Sequence, residues 1–234
     1  MNGRLLMIEL HDVNKAYGTN NVLQHLEATF PENRCTVILG KSGCGKTTLL
    51  RLLAGLEQPD SGTIQCPAGL TLGMMFQEAR LFPWLTCGEN IALGMGDAFS
   101  SEELQSLLQM TGLTKAQKLY PSALSGGMQQ RASLARTLAM HSQLILMDEP
   151  FAALDPFTRT QMQQELLHLE ENVQIGTILV THNIDEALTL GDRLLVLKNG
   201  RIAYSAQLEQ EKTKRDLLSP AFIAEKRRLL AVLE

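Results

Sequence analysis

One segment near residue 40 has the residue types and spacing needed to bind a phosphate chain. Its sequence, GKSGCGKT, fits the pattern G-x-x-x-x-G-K-[ST] without a mismatch. Glycines let successive backbone N–H groups point at phosphate oxygens, and a helix that follows adds the positive end of its dipole. The residues predicted to bind a nucleotide here are Gly40, Lys41, Ser42, Gly43, Cys44, Gly45, Lys46, Thr47 and Thr48.

Two side chains at the end of this loop predict what it holds. The Lys46 ammonium is a point charge for the β- and γ-phosphates, and the Thr47 hydroxyl is a ligand for Mg²⁺. A plain Gly-rich turn between a strand and a helix is the competing interpretation. The context favours the nucleotide, because an apolar run, Thr36–Leu39, precedes the loop and a Leu-rich helix is predicted over Thr47–Leu56.

A second apolar run, Leu144–Met147, ends in two carboxylates, Asp148 and Glu149. Ligand sites in open α/β sheets lie beyond the carboxyl ends of strands, so we expect both acids near Thr47. Asp148 would hold Mg²⁺, directly or through water, and Glu149 would polarise an attacking water. Taken alone, the pair fits a solvated acidic turn before Pro150 equally well. Beside a phosphate loop, the catalytic interpretation is favoured.

The elements that must position these residues alternate between strands and helices, which predicts a mostly parallel sheet. Short strands are predicted at the start, over Leu6–Leu10 and Val13–Tyr17, separated by His11-Asp12. From about residue 90 to Leu138 the pattern becomes helical, which indicates an inserted helical region.

Three local signals mark boundaries in the second half of this pattern. Ser100 with Glu103 fits a capping box at the start of a helix. Asn199-Gly200 between two apolar runs predicts a hairpin. The tail from Lys212 onward is predicted helical, with Ser219-Pro220 as a cap and first turn.

Composition excludes several classes of protein. The chain has 234 residues, of which 44% are hydrophobic and 20% charged, which is typical of a globular protein. A net charge of −4 gives little support for binding nucleic acid or anionic lipid. No run approaches the ~18 apolar residues of a membrane-spanning helix. The four cysteines form no Cys-x-x-Cys pair, so reduced thiols are expected rather than disulfides or a zinc site.

The segment Leu124–Arg131, LSGGMQQR, resembles the signature motif of the ATP-binding cassette (ABC) ATPases. Ser125 precedes Asp148 by 23 residues, a spacing that suits that family. One residue departs from the family pattern, since Met128 stands where the consensus has Gln. Because Ser125, Gly126, Gly127 and the backbone carry the phosphate contact, we expect Met128 to have little effect.

Other landmarks of the ABC family follow in order, and the resemblance runs from about residue 8 to 205. It implies that Tyr17 stacks on adenine and that Gln77 is the Q-loop glutamine, which touches Mg²⁺. It also implies that Asp155 belongs to the D-loop, which communicates between subunits, and that His182 is the switch histidine. A half-buried strand tyrosine and a structural histidine are the competing interpretations for Tyr17 and His182.

The resemblance also implies an architecture. It is an α/β P-loop fold with a mostly parallel sheet, an N-terminal antiparallel β subdomain and an inserted helical subdomain. The catalytic core would comprise residues 1–89 and 140–210, the helical subdomain 90–139 and a helical tail 211–234.

A second phosphate-binding helix start at Ser125 raises the question of how one chain uses two of them. The resemblance implies two subunits facing head to tail. Each ATP would then be held by Lys46 of one chain and by Ser125, Gly126, Gly127 and Met128 of the other. An ordinary helix cap at Ser125 is the competing interpretation.

The segment after Gln77 is unusually apolar for a connection and includes Phe82 and the single tryptophan, Trp84. In ABC importers this region forms a groove for a coupling helix of the membrane subunit. Packing of Trp84 into the helical subdomain is the alternative. The sequence LFPWLT resembles that of the nitrate, sulfonate and taurine branch of importers.

The resemblance therefore implies a peripheral ATPase on the cytoplasmic side of the inner membrane. It would act as a homodimer under two integral membrane permease subunits, with a periplasmic or extracellular binding protein delivering an anion such as nitrate, sulfonate or taurine. Nucleic acid is not expected as a partner.

Three other functions are weighed against this one. In a soluble ABC ATPase acting on DNA, a long coiled coil would separate the phosphate loop from the signature, but only 79 residues separate Lys46 from Ser125, without sustained heptads. Ribosome-associated members usually carry two cassettes in one chain, whereas this sequence has one. A kinase-like phosphotransferase leaves the LSGG run unexplained, and a non-catalytic scaffold would not need both Lys46 and Glu149.

Overall fold

The main layer of this computed structural model, which describes residues 7–31, 33–172 and 175–234, is a six-stranded sheet. Its strands are β3 Cys35–Leu39, β5 Leu72–Met75, β6 Leu144–Asp148, β7 Gly176–Thr181, β8 Arg193–Lys198 and β9 Arg201–Gln207. They lie in the order β5-β6-β7-β3-β8-β9. The first five are parallel, and β9 pairs antiparallel with β8.

The parallel strands are buried on both faces, which is why the sequence shows them as continuous apolar runs. Every residue of β3, β6 and β7 is buried. The register aligns Leu39 with Thr181 and Asp148 with Val180. The carboxyl ends of β3, β6 and β7 therefore meet at one edge of the sheet.

A smaller antiparallel sheet consists of β1 Met7–Tyr17, β2 Asn20–Pro31 and β4 Ser61–Gln65, in the order β2-β1-β4. The prediction of two strands broken at His11-Asp12 is wrong. β1 is continuous, and Asp12 instead takes a φ of 51° within a register shift between Leu10 and Val13. A bulge of this kind bends a strand without ending it. Leu6, the predicted first strand residue, lies outside the described part of the chain.

Seven α-helices of the described ranges surround the sheets. They are α1 Lys46–Leu53, α2 Cys87–Ala92, α3 Ser101–Met110, α4 Gly126–Leu138, α5 Pro156–Asn172, α6 Ile184–Leu190 and α7 Pro220–Leu233. Helices α2, α3 and α4 all lie between β5 and β6 in the chain, so the predicted helical insertion is confirmed. The division of the chain at residues 89, 139 and 210 remains a prediction.

Helix α1 ends three residues before the predicted Leu56. Gly55 has a φ of 68°, its N–H donates to the Leu52 carbonyl, and the Leu56 N–H donates to the Arg51 carbonyl. These two bonds are the Schellman motif, in which a left-handed glycine stops a helix.

The predicted capping box at Ser100 is half formed. The Ser100 hydroxyl accepts the Glu103 N–H, but the Glu103 carboxylate lies 2.9 Å from Nε2 of His141. A complete capping box starts α2, where Thr86 and Glu89 bond to each other's backbone N–H groups.

The predicted tail helix starts later than Lys212. Only a single 3₁₀ turn, Lys212–Lys214, forms there, and α7 begins at Pro220 with Ser219 as its cap. The hairpin between β8 and β9 is confirmed, since Asn199 and Gly200 have φ values of 50° and 73°. Both positive angles are those of a type I′ turn.

The two faces of the parallel sheet pack against different layers. Ile38, Leu146 and Ile178 pack with α1 and the antiparallel sheet. Their neighbours along the strands, such as Val37 and Met147, pack with the helical layer that includes α2, α3 and α4. Because both faces are covered, only the ends of the strands are open to a ligand.

One buried amide organises the connection that carries Phe82 and Trp84. Asn90, which is fully buried, accepts the Phe82 N–H at 2.8 Å. Its amide nitrogen lies 3.0 to 3.1 Å from the carbonyl oxygens of Phe82, Leu85 and Thr86. The turn over residues 82–86 is therefore fixed by a side chain of α2.

We predict that Asn90→Ala lowers the free energy of unfolding by about 2 kcal/mol, because partly buried backbone groups of this turn lose their partner. Denaturant titration measures the change, with Gln109→Ala at an exposed position of α3 as the control. A loss no larger than that of the control would contradict this role for Asn90.

Candidate nucleotide site

The loop between β3 and α1 requires glycine at two of its positions. A Cβ atom on Gly40 would lie 2.4 Å from Sγ of Cys44 and 2.7 Å from the Leu197 carbonyl oxygen. Gly45 has a φ of 106°, and a Cβ atom there would lie 3.0 Å from the Val22 carbonyl oxygen. Side chains at either position would displace the loop whose N–H groups are to face the phosphates.

Lys46 is buried and is directed back into the loop. Its Nζ donates to the carbonyls of Gly40, at 2.8 Å, and Lys41, at 3.1 Å. The same nitrogen lies 3.9 Å from Oε1 of Glu149. The other predicted loop residues divide into an exposed group, Lys41, Ser42 and Gly43, the partly buried Cys44 and Thr47, and the buried Thr48.

Asp148 and Thr47 meet as predicted. Asp148, the last residue of β6, is buried, and the Thr47 side chain lies close enough to act on its carboxylate. Burial raises the pKa of Asp148, and the Thr47 side chain opposes that rise by stabilising the charged form. A hydroxyl and a carboxylate are hard oxygen ligands, so this pair fits Mg²⁺.

Glu149 lies between Lys46 and His182. Its Oε2 is 3.2 Å from Nδ1 of His182, while its Oε1 faces Lys46. The backbone of Glu149 has a φ of 47°, and its N–H donates to the Val180 carbonyl at 3.0 Å. A left-handed backbone costs a non-glycine residue about 1–2 kcal/mol. Here that conformation directs the carboxylate toward the phosphate loop.

Gln77 and Tyr17 lie at the periphery of this group. Gln77 is exposed and comes two residues after Met75, the end of β5, which pairs with Met147 of β6. Tyr17 ends β1, is 46% exposed, and donates its hydroxyl to the Glu57 carboxylate. The role of each in nucleotide binding remains a prediction.

The Ser125 segment starts a helix, as predicted. Ser125 is exposed and caps α4, and its hydroxyl accepts the Met128 N–H at 3.3 Å. A Cβ atom on Gly127 would lie 3.3 Å from Leu154, so this start lies beside the loop that precedes α5. Across the described ranges, no hydrogen bond or ion pair joins residues 125–128 to residues 40–48.

Asp155 caps the neighbouring helix, α5. Its carboxylate accepts the N–H groups of Phe157 and Thr158, each at 3.1 Å. The Thr158 side chain, together with these two backbone bonds, lowers the pKa of Asp155. The side chain is exposed, so it is also accessible to a second molecule.

Three charged residues near the site have no signal in the sequence motifs. Arg136 of α4 donates to the carbonyls of Ala79 and Arg80, at 3.1 and 3.0 Å, and so holds the segment after Gln77 to that helix. The buried Glu186 and the partly exposed Arg159 form an ion pair behind His182.

Together the loop, its lysine and the carboxylates at the end of β6 define a P-loop nucleoside triphosphatase. The sequence profile described as ABC transporter matches residues 23–152 of this chain. The chain therefore belongs to the ABC transporter family, and it is an ABC-type ATPase.

Several relatives carry the name aliphatic sulfonates import ATP-binding protein SsuB 1. The protein of Shouchella clausii is 44% identical over 198 residues, which are 85% of this chain and 80% of that protein. The protein of Pseudomonas fluorescens is 41% identical over 232 residues, 99% of this chain and 88% of that protein.

Solved structures agree on the fold. A dimeric, post-hydrolysis state of the ATP-binding cassette MJ0796 with ADP and phosphate matches with a TM-score of 0.78 and 29% identity, over 87% of this chain and all of that one. The structure of cbiO1 from Clostridium perfringens, part of the ABC transporter complex cbiONQ, matches at 0.76 with 22% identity, over 96% of this chain and 95% of that one, and supports the fold alone. The predicted fold class and ATPase class are confirmed.

We predict that Gly45→Ala weakens ATP binding about tenfold or more, because strain of 1–3 kcal/mol and the contact with Val22 displace the loop. Calorimetry measures the affinity. The control is Gly112→Ala, where φ is 64° and a Cβ atom meets nothing within 4 Å. Equal ATP affinity of the Gly45 variant and the wild type would contradict this account of the loop.

Proposed function

We propose that this chain is the ATP-hydrolysing subunit of an importer for a small anion such as a sulfonate, nitrate or taurine. The ATP-hydrolysing part of this proposal is supported by the position of Glu149 between Lys46 and His182. The import half is supported by the names of the relatives, which are called aliphatic sulfonates import ATP-binding proteins.

In this proposal each group around the phosphates has a role. The loop N–H groups and Lys46 hold the β- and γ-phosphates, and Tyr17 stacks on the adenine. Thr47, Asp148 and Gln77 would hold Mg²⁺, which when bound neutralises phosphate charge. Glu149 accepts a proton from the attacking water. His182 holds the Glu149 carboxylate in place and contacts the γ-phosphate.

The signature segment completes the site of a second copy. Ser125 is exposed and starts a 13-residue helix, so its N–H groups suit an anion. No bond links it to the phosphate loop of its own chain within the described residues, which supports a head-to-tail homodimer. The MJ0796 cassette, with 29% identity, was solved as a dimer with ADP and phosphate.

An exposed aromatic patch supports a membrane subunit as the other partner. Trp84 is 68% exposed and Phe82 41%, with ring centroids 5.3 Å apart, so Trp84 does not pack into the helical region. In the described residues no helix is both long and apolar enough to span a bilayer. Attachment to the cytoplasmic side of the inner membrane would then go through permease subunits, with a periplasmic or extracellular binding protein delivering the anion.

Glu149→Gln tests the hydrolytic role. The amide cannot accept the proton from water, so we expect the rate of phosphate release to fall at least ~100-fold. ATP affinity should stay within about threefold, and Mg·ATP should hold the variant as a dimer in light scattering. Lys46→Ala is the control that loses both binding and dimer. Hydrolysis by the Glu149 variant at the normal rate would remove the base from the mechanism.

Trp84→Glu tests the membrane partner. A charge on this patch is expected to abolish co-purification with integral membrane proteins from detergent-solubilised membranes, while ATP hydrolysis by the isolated chain persists. The matched control is Leu218→Glu, at a position that is 82% exposed and lies outside this patch. Co-purification that survives Trp84→Glu would rule out this patch as the docking surface.

A further inference from the structure

A buried carboxylate lies directly behind the catalytic pair. Glu186, in the first turn of α6, is 5% exposed. Its Oε2 accepts the Thr181 hydroxyl at 2.6 Å, and the same hydroxyl accepts the Asn183 N–H at 3.0 Å. Thr181 and Asn183 flank His182. Glu186 therefore fixes the backbone on both sides of the switch histidine.

The second oxygen of this carboxylate faces another element. Oε1 of Glu186 lies 3.6 Å from Nε of Arg159, in α5. A terminal nitrogen of Arg159 donates to the Leu154 carbonyl at 3.1 Å. Leu154 immediately precedes Asp155, the cap of α5. Arg159 thus extends from the loop at Asp155 to the carboxylate behind His182.

Stability alone does not account for this pair. Burial raises the pKa of Glu186, and the Thr181 bond and the Arg159 charge oppose that rise. A buried ion pair often contributes no more to stability than apolar residues of the same volume. The Arg159 Nε is buried and has no hydrogen-bond partner, so the contact is not optimised for strength.

The pair also adjoins the reaction centre. Arg159, Glu186, His182 and Glu149 all line one cavity of about 50 Å³, together with Ala152. A change in the position of Arg159 or Glu186 therefore acts on the same small space that holds the Glu149 and His182 side chains.

We propose that Glu186 is a positioning residue that couples the Asp155 loop to His182, through Arg159 on one side and Thr181 on the other. This inference rests on the proposed ATPase dimer, in which the exposed Asp155 loop meets the second copy. Closure of the dimer moves the loop, Arg159 transmits the shift to Glu186, and Thr181 sets the angle of His182 toward Glu149.

Glu186→Gln tests this coupling. The amide oxygen still accepts the Thr181 hydroxyl, but the charge that faces Arg159 is lost. We expect kcat for Mg·ATP to fall about tenfold through misplacement of His182. The KM and the calorimetric ATP affinity should change less than twofold, because Glu186 does not touch the nucleotide. Asp185→Asn, one residue away in the same turn and paired with Lys226 on the surface, should keep kcat within twofold.

Variants of Arg159 keep the test informative if the Glu186 variant does not fold, since Arg159 is partly exposed. Arg159→Met should lower kcat as Glu186→Gln does, and Arg159→Lys should restore part of it by returning the charge. The double variant Glu186→Gln/Arg159→Met should be no slower than the slower single variant, because both remove one connection.

Two results overturn the coupling. One is a kcat within twofold of the wild type for both Glu186→Gln and Arg159→Met. The other is a double variant whose loss is the product of the single losses. Both results presuppose that the wild-type chain hydrolyses ATP. A wild-type chain that hydrolyses no ATP refutes the proposed function itself, and the coupling with it.

Discussion

A charge cluster lies at the carboxyl edge of the parallel sheet, and the surrounding strands and helices hold its members in place. A buried ammonium, Lys46, is held by two loop carbonyls and faces Glu149, which in turn contacts His182. Burying charge is costly unless partners are fixed in place. The strand register supplies that precision, because it sets the ends of β3, β6 and β7 side by side.

The helices around this edge fall into two groups, one that continues the phosphate loop and one that begins at exposed caps. Helix α1 continues the phosphate loop and packs into the core beneath it. Helices α4 and α5 begin at exposed caps, Ser125 and Asp155, that adjoin each other at Gly127 and Leu154. The site thus has one half inside the chain and one surface that suits a second copy. Under the proposed function, that division lets ATP hold two subunits together.

Sequence reasoning succeeded where the signal was local. A few adjacent residues are enough to define each of four features: the phosphate loop, the acids after β6, the cap at Ser125 and the hairpin at Asn199-Gly200. The errors came from competing local effects, as at Asp12, where a bulge replaces a break, and at Gly55, whose left-handed backbone stops α1 early. Contacts such as Arg136 with the Gln77 segment, or Arg159 with Glu186, join elements that only the folded sheet brings together, so no spacing rule could find them.

The most direct test of the shared site combines two defective chains. In a Glu149→Gln background, Lys46→Ala destroys the phosphate loop of one chain and Ser125→Arg blocks the signature of the other. Mixing them leaves one complete site, built from Lys46 of the second chain and Ser125 of the first. We expect a mixed dimer that binds one ATP per pair of chains, although neither variant assembles alone. Absence of ATP-dependent assembly in the mixture would contradict a site shared between two chains.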